Sequence, residues 1–313
     1  MILITGTTGY IGSEITKALY KKNIKYFGID NLIYSNKKNI LNKKNFKKLD
    51  IGSHKVKNII KKYSVKTVIH CAALSYILDG EKNRSKYISN NIKKTKKFIN
   101  ICKNANVENL IFLSSSNVYK DGPKTFSENS VTKPKNLYGK TKLTIENYLK
   151  RKNFKSLIIL RLFNVMGLSD DFFVFKFVKN DYQRLFFKLN NTKAKVSLNY
   201  KLINKKKFFP ERDFIDVRDV VFIILKLANM IKIKKINQIF NIGSGKSTSI
   251  IKIYQKFNKL KKIKKKNIKF KKISSKELNI TRANINKIKK FLLWSPRFNL
   301  TKSINSTLKF AKY

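Results

Sequence analysis

Cysteine, uninterrupted apolar sequence and acidic side chains are all scarce in this chain, and each shortage excludes a class of protein. The two cysteines, Cys71 and Cys102, are too few for a disulfide framework and lack metal-ligand spacing, so no metal site is predicted. No run of about 18 uncharged apolar residues occurs, which predicts no membrane span. Because Met1 leads directly into an apolar segment without a basic leader, we expect no signal peptide and a cytoplasmic location.

The shortage of acidic residues leaves 17 of them against 71 lysines and arginines, a formal net charge of +54. Such a charge indicates either a polyanionic partner or a drift in amino-acid composition. Eight of the 71 cations are arginine, which leaves 63 lysines. Arginine is the preferred residue for recognising bases and phosphates. We therefore favour drift and expect no specific nucleic-acid partner, only weak, salt-sensitive binding to polyanions.

Short apolar runs alternate with longer helical patterns in the 313 residues, which is typical of an α/β fold. We predict a Rossmann-type, doubly wound parallel sheet with a smaller C-terminal α/β substrate domain. Residues 1–165 and 214–242 are assigned to the dinucleotide-binding domain, and 166–213 and 243–313 to the substrate-binding domain. The predicted strands are Ile2–Thr5, Tyr26–Ile29, Thr67–Ala72, Asn109–Ser114, Ser156–Leu162, Phe214–Val217 and Gln238–Ile242. The predicted helices include Gly12–Tyr20, Ser85–Asn104 and Leu137–Lys150, and the lysine run Leu260–Lys272 is predicted to be solvated surface.

A glycine-rich turn follows the first strand and precedes a helix. Gly6, Gly9 and Gly12 permit a tight turn, close approach of the backbone to a pyrophosphate, and close packing of the helix on the sheet. Asp30 ends the next strand 18 residues after Gly12, where an acid bonds the adenosine ribose hydroxyls. An acid there repels a 2′-phosphate, so the turn predicts NAD rather than NADP.

A tyrosine and a lysine suited to proton transfer lie four residues apart on a predicted helix. The i, i+4 spacing puts Tyr138 and Lys142 on one face. An ammonium beside a phenol stabilises the phenolate, so we expect Lys142 to lower the pKa of Tyr138. They follow Ser115 at the end of the fourth predicted strand, where parallel sheets build their sites. This arrangement indicates a base for a sugar hydroxyl.

The combined motifs resemble the extended branch of the short-chain dehydrogenase/reductase family, in particular the UDP-glucose 4-epimerases. The glycine spacing Gly-x-x-Gly-x-x-Gly is typical of that branch. The resemblance spans nearly the whole chain and is carried by Asp30–Leu32, Asp50–Ile51, His70–Ala73, Ser114–Tyr119, Tyr138–Lys142, Arg161–Asn164, Arg212–Ile215, Asn241–Gly245 and Leu293–Pro296.

The resemblance implies an NAD-dependent enzyme that epimerises a nucleotide sugar at C4 through a transient keto sugar. Ser115 would bond the reacting hydroxyl, Tyr138 would remove its proton, and Lys142 would also hold the nicotinamide ribose. The implied cofactor contacts are Gly6, Gly9, Tyr10, Ile11, Gly12, Asp30, Asn31, Asp50, Ile51, Ala72, Ala73, Asn90, Tyr138 and Lys142. The implied substrate contacts are Ser115, Ser116, Asn164 and Arg212. A homodimer is also expected from the resemblance.

Several positions depart from the family pattern and leave the sugar open. Ser75 replaces a cofactor-contacting lysine, and Lys120 follows Val-Tyr in place of glycine. The second diphosphate-binding arginine falls near Ser274, where Lys271, Lys272 or Lys276 are the available substitutes. Thr281 falls at the position where a large residue excludes N-acetylated sugars.

The sequence leaves three alternatives to a 4-epimerase. The first is a 4,6-dehydratase or another extended short-chain reductase, although dehydratases usually have Thr-Asp-Glu where Ser115–Asn117 stands. The second is a non-catalytic binding protein on the same fold. The third is an NTPase phosphate loop at Gly243–Thr248, which lacks its first glycine because that position is Phe240.

Overall fold

The computed structural model describes residues 1–122, 124–169, 196–203, 205–261, 268–272 and 279–310. The strands are β1 (Ile2–Thr5), β2 (Tyr26–Asp30), β3 (Phe46–Lys48), β4 (Thr67–His70), β5 (Asn109–Ser115), β6 (Ser156–Leu162), β7 (Asn164–Met166), β8 (Val196–Ile203), β9 (Lys206–Phe208), β10 (Glu211–Asp216), β11 (Asn237–Ile242), β12 (Ser247–Ser249), β13 (Ile268–Lys272) and β14 (Ile280–Thr281). The helices are α1 (Tyr10–Lys21), α2 (Lys55–Lys62), α3 (Ile77–Lys82), α4 (Arg84–Ile88), α5 (Thr95–Asn104), α6 (Leu137–Lys150), α7 (Val217–Ile233), α8 (Ile250–Lys261), α9 (Asn286–Leu292) and α10 (Leu300–Phe310).

Seven strands form one parallel sheet in the order β11-β6-β5-β4-β1-β2-β3. Alternate residues of a strand face opposite sides of a sheet. Ile4 accordingly packs into one apolar cluster with α1 and α7, whereas Leu3 packs into a second cluster with α2, α5 and α6. Helices therefore cover both faces, and the predicted Rossmann-type α/β fold is confirmed.

The order of the strands reverses between β1 and β4, because the chain first builds outward through β2 and then returns to the other side of β1. The crevice beyond the carboxyl ends of strands at such a reversal is the general ligand site of open α/β sheets. The sequence-predicted residues that follow β1 and β4 meet at this crevice.

Two smaller sheets lie outside the main one. β10 pairs with β12, β14 and β7, and β8 pairs with β13 and β9. The strand predicted at Phe214–Val217 is β10, Glu211–Asp216, and Val217 is the first residue of α7. Asp216 caps that helix by accepting a hydrogen bond from the Arg218 backbone N–H. The assignment of residues to two domains remains a prediction.

The lysine run predicted as solvated surface is in part a strand. Its last five residues, Ile268–Lys272, are β13, and the side chains of residues 269–272 are exposed. Residues 262–267 lie outside the described residues.

The helix predicted over Ser85–Asn104 is interrupted. The structure has α4, then a wide π-type turn at Ser89–Lys94, then α5. Within the turn Asn91 is 4% exposed, and its amide bonds both the N–H and the C=O of Leu74. A tertiary contact thus occupies the point where the regular helix is broken.

Every acidic side chain in the described residues has a hydrogen-bond or ion-pair partner. Four of the 17 acids, Asp170, Asp171, Asp181 and Glu277, lie outside that part of the chain. Each of the other thirteen accepts a hydrogen bond or forms an ion pair. The most deeply buried carboxylates, at 0–2% exposure, are Glu14, Glu146, Asp213, Asp216 and Asp219.

Over the same described ranges, the structure has no helix with the length and apolarity needed to cross a membrane. Nor do three or more His, Cys, Asp or Glu side chains come together there in a way that could hold a metal ion.

Candidate active site

The turn after β1 and the first turn of α1 form a backbone cradle that has no room for a side chain at Gly6 or Gly12. Gly6 has φ of +70°, and a Cβ built on it would lie 2.8 Å from the Ala72 nitrogen. A Cβ on Gly12 would lie 2.0 Å from the Gly6 oxygen. The main chain therefore approaches the crevice closely at the N-terminus of α1, where backbone N–H groups and the helix dipole favour a phosphate. This cradle fits the pyrophosphate of NAD.

The cradle opens into a cleft of about 350 Å³ at the carboxyl ends of the central strands. Most of the residues predicted from the sequence meet on its walls. These are Gly6, Gly9, Tyr10, Ile11, Gly12, Asp30, Asn31, Ile51, Ala72, Ala73, Asn90, Ser115, Tyr138, Lys142 and Asn164.

Three predicted contacts lie off the cleft walls formed by the described residues. Asp50 accepts hydrogen bonds from Lys94 at 2.6 Å and from Asn31 at 3.2 Å. Burial opposes ionisation of Asp50, but these bonds and the Lys94 charge lower its pKa overall. Ser116 is 6% exposed and begins a short 3₁₀ turn, and Arg212 is 6% exposed on β10 with its guanidinium 2.9 Å from the Glu211 oxygen.

Asp30 is held at the end of β2 by donors from two loops. Its carboxylate accepts hydrogen bonds from the Thr8 and Leu32 backbone N–H groups at 3.2 and 2.8 Å, and from the Ser35 hydroxyl at 3.1 Å. These contacts fix a negative charge on the cleft wall, where it opposes a 2′-phosphate.

Sequence reasoning missed one group of cleft residues. Most come from the loop after β2, where only a cluster of serine and asparagine marked a turn, and from the segment around α3 and α4, and one comes from the turn after β5. The missed residues are Tyr34, Ser35, Asn36, Asn39, Tyr76, Ile77, Asp79, Tyr87 and Asn117.

Ser115, Tyr138 and Lys142 are brought together by one strand and one helix. Ser115 is the last residue of β5, and Tyr138 and Lys142 lie in the first turns of α6. The helix packs tightly against the turn after β5, because a Cβ on Gly139 would lie 2.2 Å from the Asn117 oxygen. The Lys142 ammonium donates to the Leu113 carbonyl at 2.7 Å and lies 5.8 Å from the Tyr138 ring centre.

Burial dominates the ionisation of both groups. Burial raises the pKa of Tyr138 to about 12, although the Ser115 hydrogen bond lowers it in part. Burial lowers the pKa of Lys142 to about 8. The expectation that Lys142 lowers the pKa of Tyr138 is therefore wrong for this structure. The reason is that the ammonium is itself desolvated and is directed at the Leu113 carbonyl.

A buried ion pair lies behind Ser115 and the start of α6. Glu146 on α6 is fully buried, and Arg161 on β6 is 3% exposed. The Arg161 guanidinium donates to the Glu146 carboxylate at 2.7, 3.1 and 3.2 Å, and also to the Tyr119 hydroxyl at 3.1 Å. The Ser114 hydroxyl donates to the same carboxylate. The pair thus connects α6 to β6 and, through Ser114, to β5, the strand that ends at Ser115.

The Gly243–Thr248 segment binds an internal carboxylate. The Ser244 and Gly245 backbone N–H groups donate to Asp213 at 2.6 and 2.9 Å, and the Ser244 hydroxyl donates at 2.7 Å. Asp213 is fully buried. A carboxylate of the chain itself thus takes the place that a phosphate takes in an NTPase loop.

Thr281, one of the positions that depart from the pattern, is a neighbour in register of Arg212, which follows the pattern. Thr281 pairs with Arg212 across β14 and β10 and is 3% exposed. Lys271 and Lys272 are exposed on β13, and Ser75 lines the cleft. Ser274 and Lys276 lie outside the described residues.

The chain resembles known proteins over most of its length. A sequence model of the NAD dependent epimerase/dehydratase family matches residues 2–243. The bifunctional protein GAL10 of Pachysolen tannophilus is 28% identical over 281 residues, 82% of this chain and 41% of that protein. The UDP-glucuronate 4-epimerase of Thermodesulfobacterium geofontis is 27% identical over 333 aligned residues, 99% of this chain and 95% of that protein. A UDP-glucose-4-epimerase from Stenotrophomonas maltophila, crystallised with NAD and formylated UDP-arabinopyranose, has a TM-score of 0.86 at 20% identity, covering 99% of this chain and 97% of that one.

Proposed function

Since the chain belongs to the NAD dependent epimerase/dehydratase family, with NAD as cofactor, we propose that it is a nucleotide-sugar 4-epimerase. One observation carries the proposal. Ser115, Tyr138 and Lys142 lie together on the wall of the cleft that the glycine cradle opens, at the carboxyl end of β5. A hydroxyl, a phenol and an ammonium in that place suit proton transfer at a sugar hydroxyl beside a nicotinamide.

Each of the three residues has a distinct task in the proposal. Ser115 bonds the 4-hydroxyl of the sugar, and Tyr138 removes its proton and later returns it. Lys142 holds the nicotinamide ribose, and the Ser115 hydrogen bond favours the phenolate that burial disfavours. NAD, when bound, supplies an acceptor to which C4 gives a hydrogen with its electron pair and from which C4 regains them. The keto sugar turns over between the two transfers, so its other face is reduced.

The proposed substrate is a nucleotide diphosphate sugar. Asn164 lines the cleft and is expected to bond the substrate. Arg212 offers a planar guanidinium for the diphosphate, because such groups bind phosphate oxygens in pairs. Thr281, its neighbour in register, has a small side chain, so we expect N-acetylated sugars to be accepted as well.

Two alternatives predict different products. A 4,6-dehydratase needs an acid and a base to eliminate water, whereas this chain has a buried serine at 116 and an amide at 117. A non-catalytic protein would bind the nucleotide sugar and return it unchanged.

The experiment incubates purified, NAD-loaded protein with UDP-glucose, UDP-galactose and their N-acetylated forms, and separates the products by chromatography. We expect interconversion of at least one 4-epimer pair. Tyr138→Phe is the matched variant, because it removes only the phenolic oxygen; it is expected to retain NAD and lose turnover. A keto-deoxy sugar as product would support the dehydratase, and no conversion of any sugar would refute an epimerase.

A further inference from the structure

Two asparagine side chains connect the start of α6 to the Ser115 hydroxyl. Asn136 caps the helix, because its Oδ1 accepts a hydrogen bond from the Gly139 backbone N–H at 2.8 Å. A backbone N–H can only donate, so this contact fixes which end of the Asn136 amide is the oxygen. The Asn136 Nδ2 then donates to the Asn117 Oδ1 at 3.0 Å. The main chain therefore sets the direction of the first side-chain bond.

The same direction continues from Asn117 to Ser115. Since the Asn117 Oδ1 is an acceptor, its Nδ2 is the donor that lies 3.1 Å from the Ser115 Oγ. The Asn117 backbone N–H donates to the same oxygen at 3.2 Å. A serine hydroxyl has two acceptor lone pairs and one proton. Both lone pairs are used by Asn117, so Ser115 has only its proton left to offer.

We infer that Asn117 and Asn136 are positioning residues that fix Ser115 as a hydrogen-bond donor toward Tyr138 and the substrate oxygen. The inference rests on the proposed catalytic roles of Ser115 and Tyr138. Ser115 is 6% exposed, Asn136 is 2% exposed, and the half-buried Asn117 between them lines the cleft. As a donor, Ser115 stabilises a phenolate or an alkoxide in a buried site. As an acceptor, it would compete for the proton that Tyr138 has to take.

A hydrogen bond that Ser115 donates to Tyr138 favours the phenolate form of the phenol. This hydrogen bond lowers the pKa of the phenol, against the larger effect of burial. The titratable groups that face this end of α6 are Lys142 on the same helix, Tyr87 on α4 and Glu81 on α3, which accepts the Leu137 backbone N–H. They stay unchanged in the variants below.

Two variants reverse or release the bond at Ser115. Asn117→Asp replaces the donor by an acceptor of nearly equal volume, so the Ser115 proton turns to the carboxylate. Asn136→Ser keeps a good helix cap and adds no charge, but it cannot reach Asn117, whose amide is then free to turn. Asn42→Ser is the matched control, because Asn42 caps an exposed 3₁₀ turn in the same way.

The first measurement is the pH profile of sugar interconversion. We expect Asn117→Asp to lower kcat by about 10²–10³-fold, the usual cost of losing one donor to a developing oxyanion, with far less change in KM. Asn136→Ser is expected to lower kcat by less, and both variants to shift the profile to higher pH, since the phenolate loses its donor. Asn42→Ser is expected to match the wild type. A merely structural role would lower the folded fraction without moving the profile.

The second measurement does not depend on turnover. In ¹⁵N-labelled protein, Ser115→Ala is expected to shift the side-chain NH₂ signals of Asn117 and Asn136, whereas Ser130→Ala, in a turn away from the cleft, shifts neither. Unmoved signals, or wild-type kcat and pH profile in both asparagine variants, would overturn the inference. A wild type that converts no sugar would refute the proposed function, while the NH₂ signals would still decide whether the relay exists.

Discussion

The buried pair of Arg161 and Glu146 gives a stability prediction whose size follows from its surroundings. Arg161→Met removes the guanidinium and leaves the Glu146 carboxylate fully buried, with the Ser114 hydroxyl as its remaining donor. Breaking one side of a buried ion pair costs about 3–5 kcal/mol, because an uncompensated charge stays out of water. That loss corresponds to about a hundredfold to several thousandfold in the unfolding equilibrium.

The double variant separates the cost of the unpaired charge from that of lost packing. Arg161→Met with Glu146→Met removes both charges and keeps apolar volume at both sites. Replacing a whole buried pair by apolar residues is often neutral or stabilising. We therefore expect the double variant to be more stable than Arg161→Met alone. Lys66→Met is the control, because the ion pair of Lys66 with Glu108 is exposed to solvent. Removing that pair is expected to leave the unfolding midpoint unchanged.

Urea unfolding followed by tryptophan fluorescence measures these differences. The chain has one tryptophan, Trp294, which is 5% exposed within the larger apolar cluster and so reports loss of that core. Saturating NAD keeps the bound state comparable between variants. A loss below about 1 kcal/mol in Arg161→Met, or a double variant no better than the single, would refute the reasoning.

Three further predictions concern the cofactor and the lysine beside it. Gly12→Ala is expected to yield protein without NAD, since its Cβ would lie 2.0 Å from the Gly6 oxygen; Gly9→Ala, at 3.3 Å, is expected to lose less, and the NAD content of purified protein measures both. Asp30→Asn is expected to raise affinity for NADP relative to NAD in fluorescence titrations, because the charge that repels the 2′-phosphate is gone; an unchanged ratio would contradict this. The wild type is expected to gain stability relative to Lys142→Met as the pH rises from about 8 toward 10.5. The reason is that Lys142 loses its proton near pH 8 in the folded state and near pH 10.5 in the unfolded state. A difference in urea midpoint between the two proteins that stays constant over this pH range would contradict the prediction.

The central strands and α6 could be predicted from sequence because their signals are local. Ile2–Thr5 and Ser156–Leu162 are apolar runs buried on both faces of a parallel sheet, and the structure has these strands with the predicted bounds. Leu137–Lys150 also has its predicted bounds, with Asn136 as a capping residue directly before it.

The elements that were missed depend on distant partners. β3, Phe46–Lys48, has two lysines and no apolar pattern, and it lies at the edge of the sheet, where β2 is its neighbour among the described strands. The break at Ser89–Lys94 coincides with a bond from Asn91 to Leu74, 17 residues earlier. Periodicity contains no information about either partner.

In the site, too, local motifs could be predicted from the sequence, whereas features that depend on distant contacts could not. The glycine turn and the Tyr138–Lys142 spacing are motifs, and the structure places their residues on one cleft. The ionisation of Tyr138 was mispredicted because spacing reports which groups are near each other, whereas burial depends on the whole fold. The direction of the hydrogen bonds at Asn117 likewise requires three-dimensional contacts.

The full use of the thirteen described acids has a consequence for engineering this chain. Acids are scarce in this chain, and each of the thirteen described ones accepts a hydrogen bond or forms an ion pair. Acid-to-amide changes at these sites are expected to destabilise the protein. Exposed lysines are the positions where new negative charge can be introduced. A variant made more soluble and less adhesive to polyanions should therefore be designed by replacing lysines on the outer surface, with every existing carboxylate left alone.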